Sequence, residues 1–381
     1  MRILITTGIF KPEPGGPATY TVELARRLSS AGHTVRVITY SDQSEYVFDK
    51  EFQFHLTRVV RRKNKLLNYI AYFSAVFKEA RAYNFIYSMD WFSAGVPVMF
   101  VSWLTRKKYA VRVGGGYIWE KYLSEGRPPM TLKKFYEDRL YKEYKVLYFF
   151  IKRVLKSASF VVFNSDQQRE LYQKHYGLKP EKITTINNPV PENRFANLVQ
   201  TYKTSYADRD KEIVFVGRFI RMKNIDSALK AFALLKDKSF VFTLIGSGPI
   251  ENELRELVRS LHLESRVQFL PTMGQADLYR RIANCYYVIL PSWTDISPNQ
   301  IYECMSLGIP FLLTKEHYLK LNKNDFLKVD PASVDDIAEK MNKLTIPHEY
   351  ERFVASLSEL HVDNTWNHVL VEHLRLYKKY F

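Results

Sequence analysis

Cysteine is almost absent. Cys285 and Cys304 stand alone, too few for a disulfide framework or a zinc site. A reducing cytoplasm fits that usage. Long apolar runs are missing as well. The longest candidate, Trp91 to Leu104, holds a glycine and a proline and stops at Arg106, short of the ~20 residues a membrane span needs. The opening Met1-Arg-Ile-Leu-Ile-Thr-Thr-Gly reads as a buried strand, without the small-residue cleavage site of a secretory signal. Neither short repeats nor low-complexity tracts occur. With 46% hydrophobic and 25% charged residues, the composition excludes disordered, collagen-like and coiled-coil chains. A length of 381 residues predicts two or three domains.

Acidic residues are scarce in the first half only. The net charge is +16, and residues 1–195 carry 32 Lys+Arg against 17 Asp+Glu. Residues 196–381 are close to balanced. A one-sided excess of this size predicts an anionic partner for the first half: phosphate, nucleic acid or a membrane surface. The excess is densest in Arg58–Lys65, Arg106–Lys108 and Lys133–Lys156. The last stretch interleaves Phe135, Tyr141, Tyr144, Leu147, Tyr148, Phe149 and Phe150 with six Lys and two Arg. Such a helix either lies on an anionic membrane or turns an apolar face to the core and a basic face to solvent.

What is present is the rhythm of an α/β protein, twice over. Arg2–Thr7 reads as a strand, Gly8–Pro17 as a loop, and Val22, Ala25 and Leu28 as one side of a helix that ends at Gly32. Thr34–Thr39 reads as the next strand, completing a βαβ crossover. Phe85–Met89, Tyr109–Val113, Phe160–Phe163 and Ile183–Ile186 continue the series. Residues 188–194 carry two prolines and read as a linker. The pattern restarts with strands at Ile213–Val216, Phe240–Ile245, Val267–Leu270, Tyr287–Leu290 and Pro310–Leu313. Helices are predicted over Ile225–Leu235, Ile250–Leu261 and Ala276–Ala283. The final stretch, Asn364–Phe381, reads as a helix capped by Thr365. Two doubly wound halves are expected, with ligands beyond the carboxyl ends of the strands and the cleft between the halves as the expected site.

Three segments carry chemistry. Gly15-Gly16-Pro17 precedes the first helix, where glycines admit a phosphate to the helix amides. A plain βα turn reads equally well there, and the spacing is not the dinucleotide fingerprint GxGxxG. Gly217-Arg218 with Lys223 follows the first strand of the second half. An Arg fork and a Lys point charge together can hold a diphosphate, although two solvated cations in a turn have the same sequence. Pro291 to Pro310 places Asp295 and Ser297 on a loop. A helix then starts near Pro298 or Asn299, with the amides of Asn299 and Gln300 free for an anion and Glu303 one turn in. An acidic helix N-terminus favoured by the helix dipole is the plainer account of the two carboxylates. No Asp-x-Asp metal motif stands at a predicted strand end, and no metal site is expected.

The span Asp295-x7-Glu303, between Pro291-Ser292 and Gly308-Ile-Pro310, resembles the acidic Glu-x7-Glu signature of family 4 glycosyltransferases. Gly15-Gly16, Ala31-Gly32-His33, Asn164-Ser165, Asn188-Pro189, Gly217-Arg218 with Lys223 and Gly246-Ser-Gly248 match the same family in order, along nearly the whole chain. The resemblance implies a GT-B fold, two Rossmann-like domains facing a central cleft. The first would cover 1–190 and bind the acceptor. The second would cover 195–362 and bind a nucleotide-sugar, and a helix at 363–381 would return to the first.

By position, Arg218 and Lys223 would hold the donor diphosphate, Glu303 the ribose and Asp295 the sugar. Gly217, Ser297, Asn299 and Gln300 would line the donor site, Thr272 would stand near the base, and Gly15 and Gly16 would border the diphosphate from the other domain. Arg218, Lys223 and Asp295 would be catalytic. The family implies retention of configuration without a metal or other cofactor, by front-face attack with the leaving phosphate taking the acceptor proton. Gly116, Tyr117, Trp119 and Glu120 would lie on the acceptor side. Asp295 stands where Glu is usual, a variant form, and Gly116 where a bacterial subgroup has an acid; the missing side chain at Gly116 motivates a second reading, a relative that binds a sugar nucleotide without turnover. A nucleic-acid-binding protein is a third, favoured by charge but lacking any binding motif. A saccharide or lipid-linked acceptor, an anionic membrane surface and a cytoplasmic, membrane-peripheral location are the implied surroundings, with no nucleic acid.

Overall fold

The computed structural model describes residues 1–13, 15–190, 209–319, 328–357 and 364–381. Pro14 and residues 191–194 of the expected linker lie outside them.

In chain order the first half runs β1 (Arg2–Thr7), α1 (Gly16–Ser30), β2 (Thr34–Ser41), β3 (His55–Val60), α2 (Lys65–Ala80), β4 (Phe85–Ser88) and α3 (Gly95–Thr105). It continues with β5 (Tyr109–Val113), α4 (Tyr117–Ser124), α5 (Leu132–Glu137), α6 (Lys145–Ser157), β6 (Val161–Phe163), α7 (Asp166–Tyr176) and β7 (Ile183–Thr185). The second half begins with β8 (Glu212–Val216), α8 (Ile225–Ala233), β9 (Val241–Ile245), α9 (Glu251–Ser260), β10 (Val267–Leu270), α10 (Gln275–Asn284) and β11 (Tyr287–Leu290). It ends with α11 (Asn299–Ser306), β12 (Phe311–Thr314), β13 (Lys328–Val329), α12 (Val334–Leu344), α13 (Pro347–Leu357) and α14 (Trp366–Tyr380).

All pairings in both sheets are parallel. The strand orders are β3-β2-β1-β4-β5-β6-β7 and β10-β9-β8-β11-β12-β13. Parallel strands covered on both faces must be largely apolar, which is why β4 and β11 are unbroken buried runs and β1 is buried after Arg2. β3 and β13 escape a sequence reading for the same physical reason. They are edge strands, half-exposed or only two residues long, and lack that apolar signature.

The chain divides into two compact units that do not follow its halves. The first is Met1–Ile118, Asp138–Pro189 and Asn364–Phe381; the second is Trp119–Glu137 and Val190–Asp363. The expected first domain of 1–190 is therefore corrected at 119–137. Phe135, Tyr136 and Leu132 of that stretch are buried, and the Leu132 amide donates to Thr294 Oγ1 at 2.8 Å.

Residues 364–381 complete the first unit. Thr365 caps α14, its Oγ1 accepting from the His368 amide at 3.3 Å. Tyr20 Oη meets His373 Nε2 at 2.9 Å, and Phe85 stacks on Phe381 with centroids 3.9 Å apart. Trp366, Val369 and Tyr377 are buried with them.

The single helix expected across Lys133–Lys156 is also corrected. α5 stops at Glu137, Arg139 takes a left-handed φ of 59°, and a 3-10 turn spans Leu140–Glu143 before α6 starts.

Candidate functional site

In an open parallel sheet the chain leaves two central neighbours in opposite directions, and that divergence opens a crevice at their carboxyl ends. In the second unit the two neighbours are β8 and β11. Gly217 and Arg218 follow β8; Pro291 to Asp295 follow β11. Gly217, Arg218 and Asp295 thus fall at the place the topology provides.

Two backbone clamps fix the first of these loops. The Gly217 amide donates to Ile245 O at 3.0 Å and the Phe219 amide to Ser247 O at 2.9 Å. The loop lies so close to the β9 turn that a Cβ on Gly246 would stand 2.0 Å from Gly217 O. One on Gly248 would stand 2.2 Å from Phe219 O. Glycine is required at both positions by approach of backbone to backbone. Gly248→Ala is expected to displace the Arg218 loop, lowering the Tm of the second unit and abolishing nucleotide binding, as melting curves and calorimetry on the same sample would show. An unchanged Tm would mean the loop yields without cost.

A second set of bonds joins the β8 loop to the β11 loop. Asn224, buried and left-handed at φ 55°, sends its amide to Pro291 O (3.1 Å) and Pro331 O (2.8 Å). The Trp293 amide donates to Met222 O at 3.0 Å. Lys223 Nζ lies 2.8 Å from Asp295 Oδ2, and Ser292 Oγ donates to the same oxygen at 3.2 Å. Asp295 is buried. Its backbone is held by a bridge to His317, whose own basicity burial pulls down to about 4. Arg218, by contrast, is exposed and has no ion pair among the described residues. One cation is therefore pre-committed to a carboxylate, and the other is free to meet an incoming anion.

α11 begins at Asn299, behind Pro298, with no side chain capping its first turn. The Gln300 amide lies in that uncapped first turn, where a helix meets anions. Ser297 is half-buried just before that turn. Glu303 sits one turn further on, half-buried beside α10, and burial raises its carboxyl to about 7. Thr272 stands exposed on the loop after β10, two strands away from β8; it is not drawn into this cluster.

In the first unit the corresponding crevice lies at the ends of β1 and β4. Gly15 is the N-cap of α1, and the helix opens at Gly16 with no side-chain cap, so a second set of helix amides is available there. Of the acceptor-side residues, Gly116 is buried in a loop that α7 supports through Gln168 Nε2 and Tyr172 Oη, both donating to Gly115 O (3.3 and 3.2 Å). Tyr117 is exposed and stacks on Phe92 at 4.6 Å. Trp119 is corrected. It is fully buried in the second unit, its indole N–H donating to Met130 O at 2.9 Å, and presents nothing to an acceptor. Glu120 is half-buried near it.

Asp90, at the end of β4, escaped the sequence reading. Its carboxylate accepts from the Phe92 amide at 2.6 Å and from Ser93 Oγ, and Gly8 lies directly against that pair. The signal was there in Ser88-Met89-Asp90-Trp91, a carboxylate immediately after a predicted strand.

The family model described as Glycosyltransferase Family 4 matches residues 14–194. The model described as Glycosyl transferases group 1 matches residues 201–353. The chain belongs to the family 4 glycosyltransferases. It is a hexosyltransferase of group 1 type, moving sugar from a nucleotide-sugar donor.

Among its relatives is the mannosylfructose-phosphate synthase of Agrobacterium fabrum, 24% identical over 380 residues, 91% of this chain and 82% of that one. An uncharacterized glycosyltransferase of Haemophilus influenzae is 28% identical over 157 residues. That match spans only 40% of either chain. The crystal structure of Anabaena Alr3699/HepE in complex with UDP-glucose superposes with a TM-score of 0.75 at 16% identity, covering 100% of both chains. The fold of this glycosyltransferase is GT-B.

Proposed function

We propose that the β8/β11 crevice of this glycosyltransferase binds the nucleoside diphosphate of the donor, and that transfer retains the anomeric configuration without a metal. The observation that carries this is an exposed Arg218 with no ion pair among the described residues, on the same loop as a Lys223 already fixed on Asp295. Arg218 and Lys223 take the diphosphate, joined by the amides of Asn299 and Gln300. Glu303 takes the ribose hydroxyls and Asp295 a hydroxyl of the sugar.

As the bond from the anomeric carbon to the phosphate oxygen breaks, its electron pair goes to the diphosphate. The two cations stabilise that growing charge, a contribution of about 3–4 kcal/mol for one well-placed donor. The acceptor hydroxyl forms the new bond on the same face and gives its proton to the leaving phosphate. Arg218 and Lys223 thus supply fixed positive charge of the kind a divalent cation gives elsewhere. The acceptor is a saccharide or a lipid-linked saccharide of cell-envelope or exopolysaccharide synthesis, met at an anionic membrane surface through the basic first unit.

Calorimetry with UDP, GDP and ADP tests the reading. One nucleotide should bind tightly to the wild type and at least tenfold more weakly to Glu303→Ala. Equal binding to both proteins would place the donor elsewhere.

A further inference from the structure

The outer surface of the first unit holds a feature that donor binding leaves unused. Helices α2, α3 and α6 pack side by side in one layer, and together they expose large apolar side chains. On α2, Leu66, Ile70 and Phe77 are exposed at helical spacing. α3 contains no charged residue, and its Trp103 is 76% exposed, with Phe100 and Leu104 beside it in sequence and also exposed. On α6, Val146 is 68% exposed and Phe149 is exposed one turn on. The ring of Phe150 meets that of Phe100 at 6.4 Å, joining α6 to α3. Apolar side chains this large, gathered on neighbouring helices, mark a surface that meets something apolar.

The same layer is strongly cationic. Residues 62–81, 95–108 and 142–157 together hold thirteen Lys+Arg and two acids, and Arg61 just before them is already paired with Glu13 and Asp42. Glu79 is already tied to Arg36, and Arg153 lies over the Phe149 ring at 5.6 Å. Aromatic and aliphatic side chains with Lys and Arg on the same helices and their flanks fit a surface that is apolar inside and anionic outside. A protein partner complementary to this charge would need a matching acidic patch around a hydrophobic one; an anionic bilayer has both without design. α3, eleven residues, is too short to span a bilayer.

We infer that the α2–α3–α6 face is a monotopic docking surface for an anionic lipid bilayer, with Trp103 and its neighbours inserted below the headgroups and the flanking cations at the phosphates. This deepens the membrane contact proposed above and does not depend on the donor site.

The test uses the full chain and vesicles of phosphatidylcholine, alone or with 30% phosphatidylglycerol. Flotation should recover the protein only with the anionic vesicles, and recovery should fall as salt rises. Trp103→Ser/Leu104→Ser should reduce the bound fraction at least tenfold. Brominated lipid should quench the fluorescence of the wild type, and Trp103→Phe should bind yet lose most of that quenching. Absence of flotation with anionic vesicles at low salt overturns the proposal. So does binding that the double substitution leaves unchanged, or a wild-type dimer that it converts to monomer. Nucleotide calorimetry on the same preparations separates the two readings: intact donor binding without flotation defeats this surface alone, and the reverse defeats the donor site alone.

Discussion

Glu303→Gln is expected to stabilise the protein at high pH while crippling donor binding. Burial raises the folded-state pKa of Glu303 from the ordinary 4.5 to about 7. At pH 4 the carboxyl is largely protonated in folded and unfolded chains alike, and the wild type and the variant should melt together. Between pH 4.5 and 7 the unfolded chain releases the proton while the folded chain keeps it. Stability therefore falls as pH rises through that window. Above pH 7 the wild type carries a desolvated carboxylate that costs about 3 kcal/mol. Glutamine is nearly isosteric and never ionises, so the variant escapes that loss. In a unit of this size its Tm at pH 8 should exceed that of the wild type by roughly 6–12 °C. Thermal melts at pH 4 and pH 8 decide the matter, and equal melting at both would mean that Glu303 is already solvated. Added nucleotide should raise the Tm of the wild type and leave the variant unmoved. A group kept at a cost to stability is what a ligand-binding role predicts.

The two cations of the site should fail in different ways. Arg218 is exposed and has no ion pair among the described residues, so Arg218→Ala should change stability by no more than about 0.5 kcal/mol. Its kcat should nonetheless drop by about 100- to 1,000-fold, because the lost charge acts on the leaving diphosphate. Lys223→Ala should lose activity to a similar extent and stability as well. It strands Asp295, a buried carboxylate whose Oδ2 then keeps, among the described residues, only the Ser292 hydroxyl. Removing one member of a buried pair costs about 3–5 kcal/mol. Denaturant melts beside steady-state kinetics distinguish the cases. A Lys223→Ala protein as stable as Arg218→Ala would show that the 2.8 Å pair is not an organising contact.

Much of this was legible in the sequence, and the reasons are physical. Central parallel strands must be apolar on both faces, so β1, β5 and β11 stand at the residues their composition marks. Loops at the carboxyl ends of central strands carry function, so Gly217, Arg218, Lys223 and Asp295 could be placed before any coordinates were known. Information that lives in three dimensions was not legible. Nothing local tells that Trp119 is core and Tyr117 is surface, two residues apart on α4. Nothing local tells that 119–137 leaves the half in which it is encoded. The basic and aromatic stretch at 133–156 matched one amphipathic helix by composition, but Phe135 and Tyr136 belong to a core while Phe149 faces solvent. Asp90 went unread because a lone carboxylate has no spacing to betray it.

The placement of α14 bears on how the protein is made. Its side chains close the core around Tyr20, Phe85 and Tyr87 of the first unit. A nascent chain emerging from the ribosome therefore offers β1, α1 and β4 long before the residues that cover them exist. The intervening 190–363 stretch must be synthesised first, time enough for its own sheet to form. Until residues 364–381 are out of the tunnel, the earliest unit to be translated waits with aromatic rings uncovered, open to chaperones. A helix translated after the second sheet completes a core begun before it.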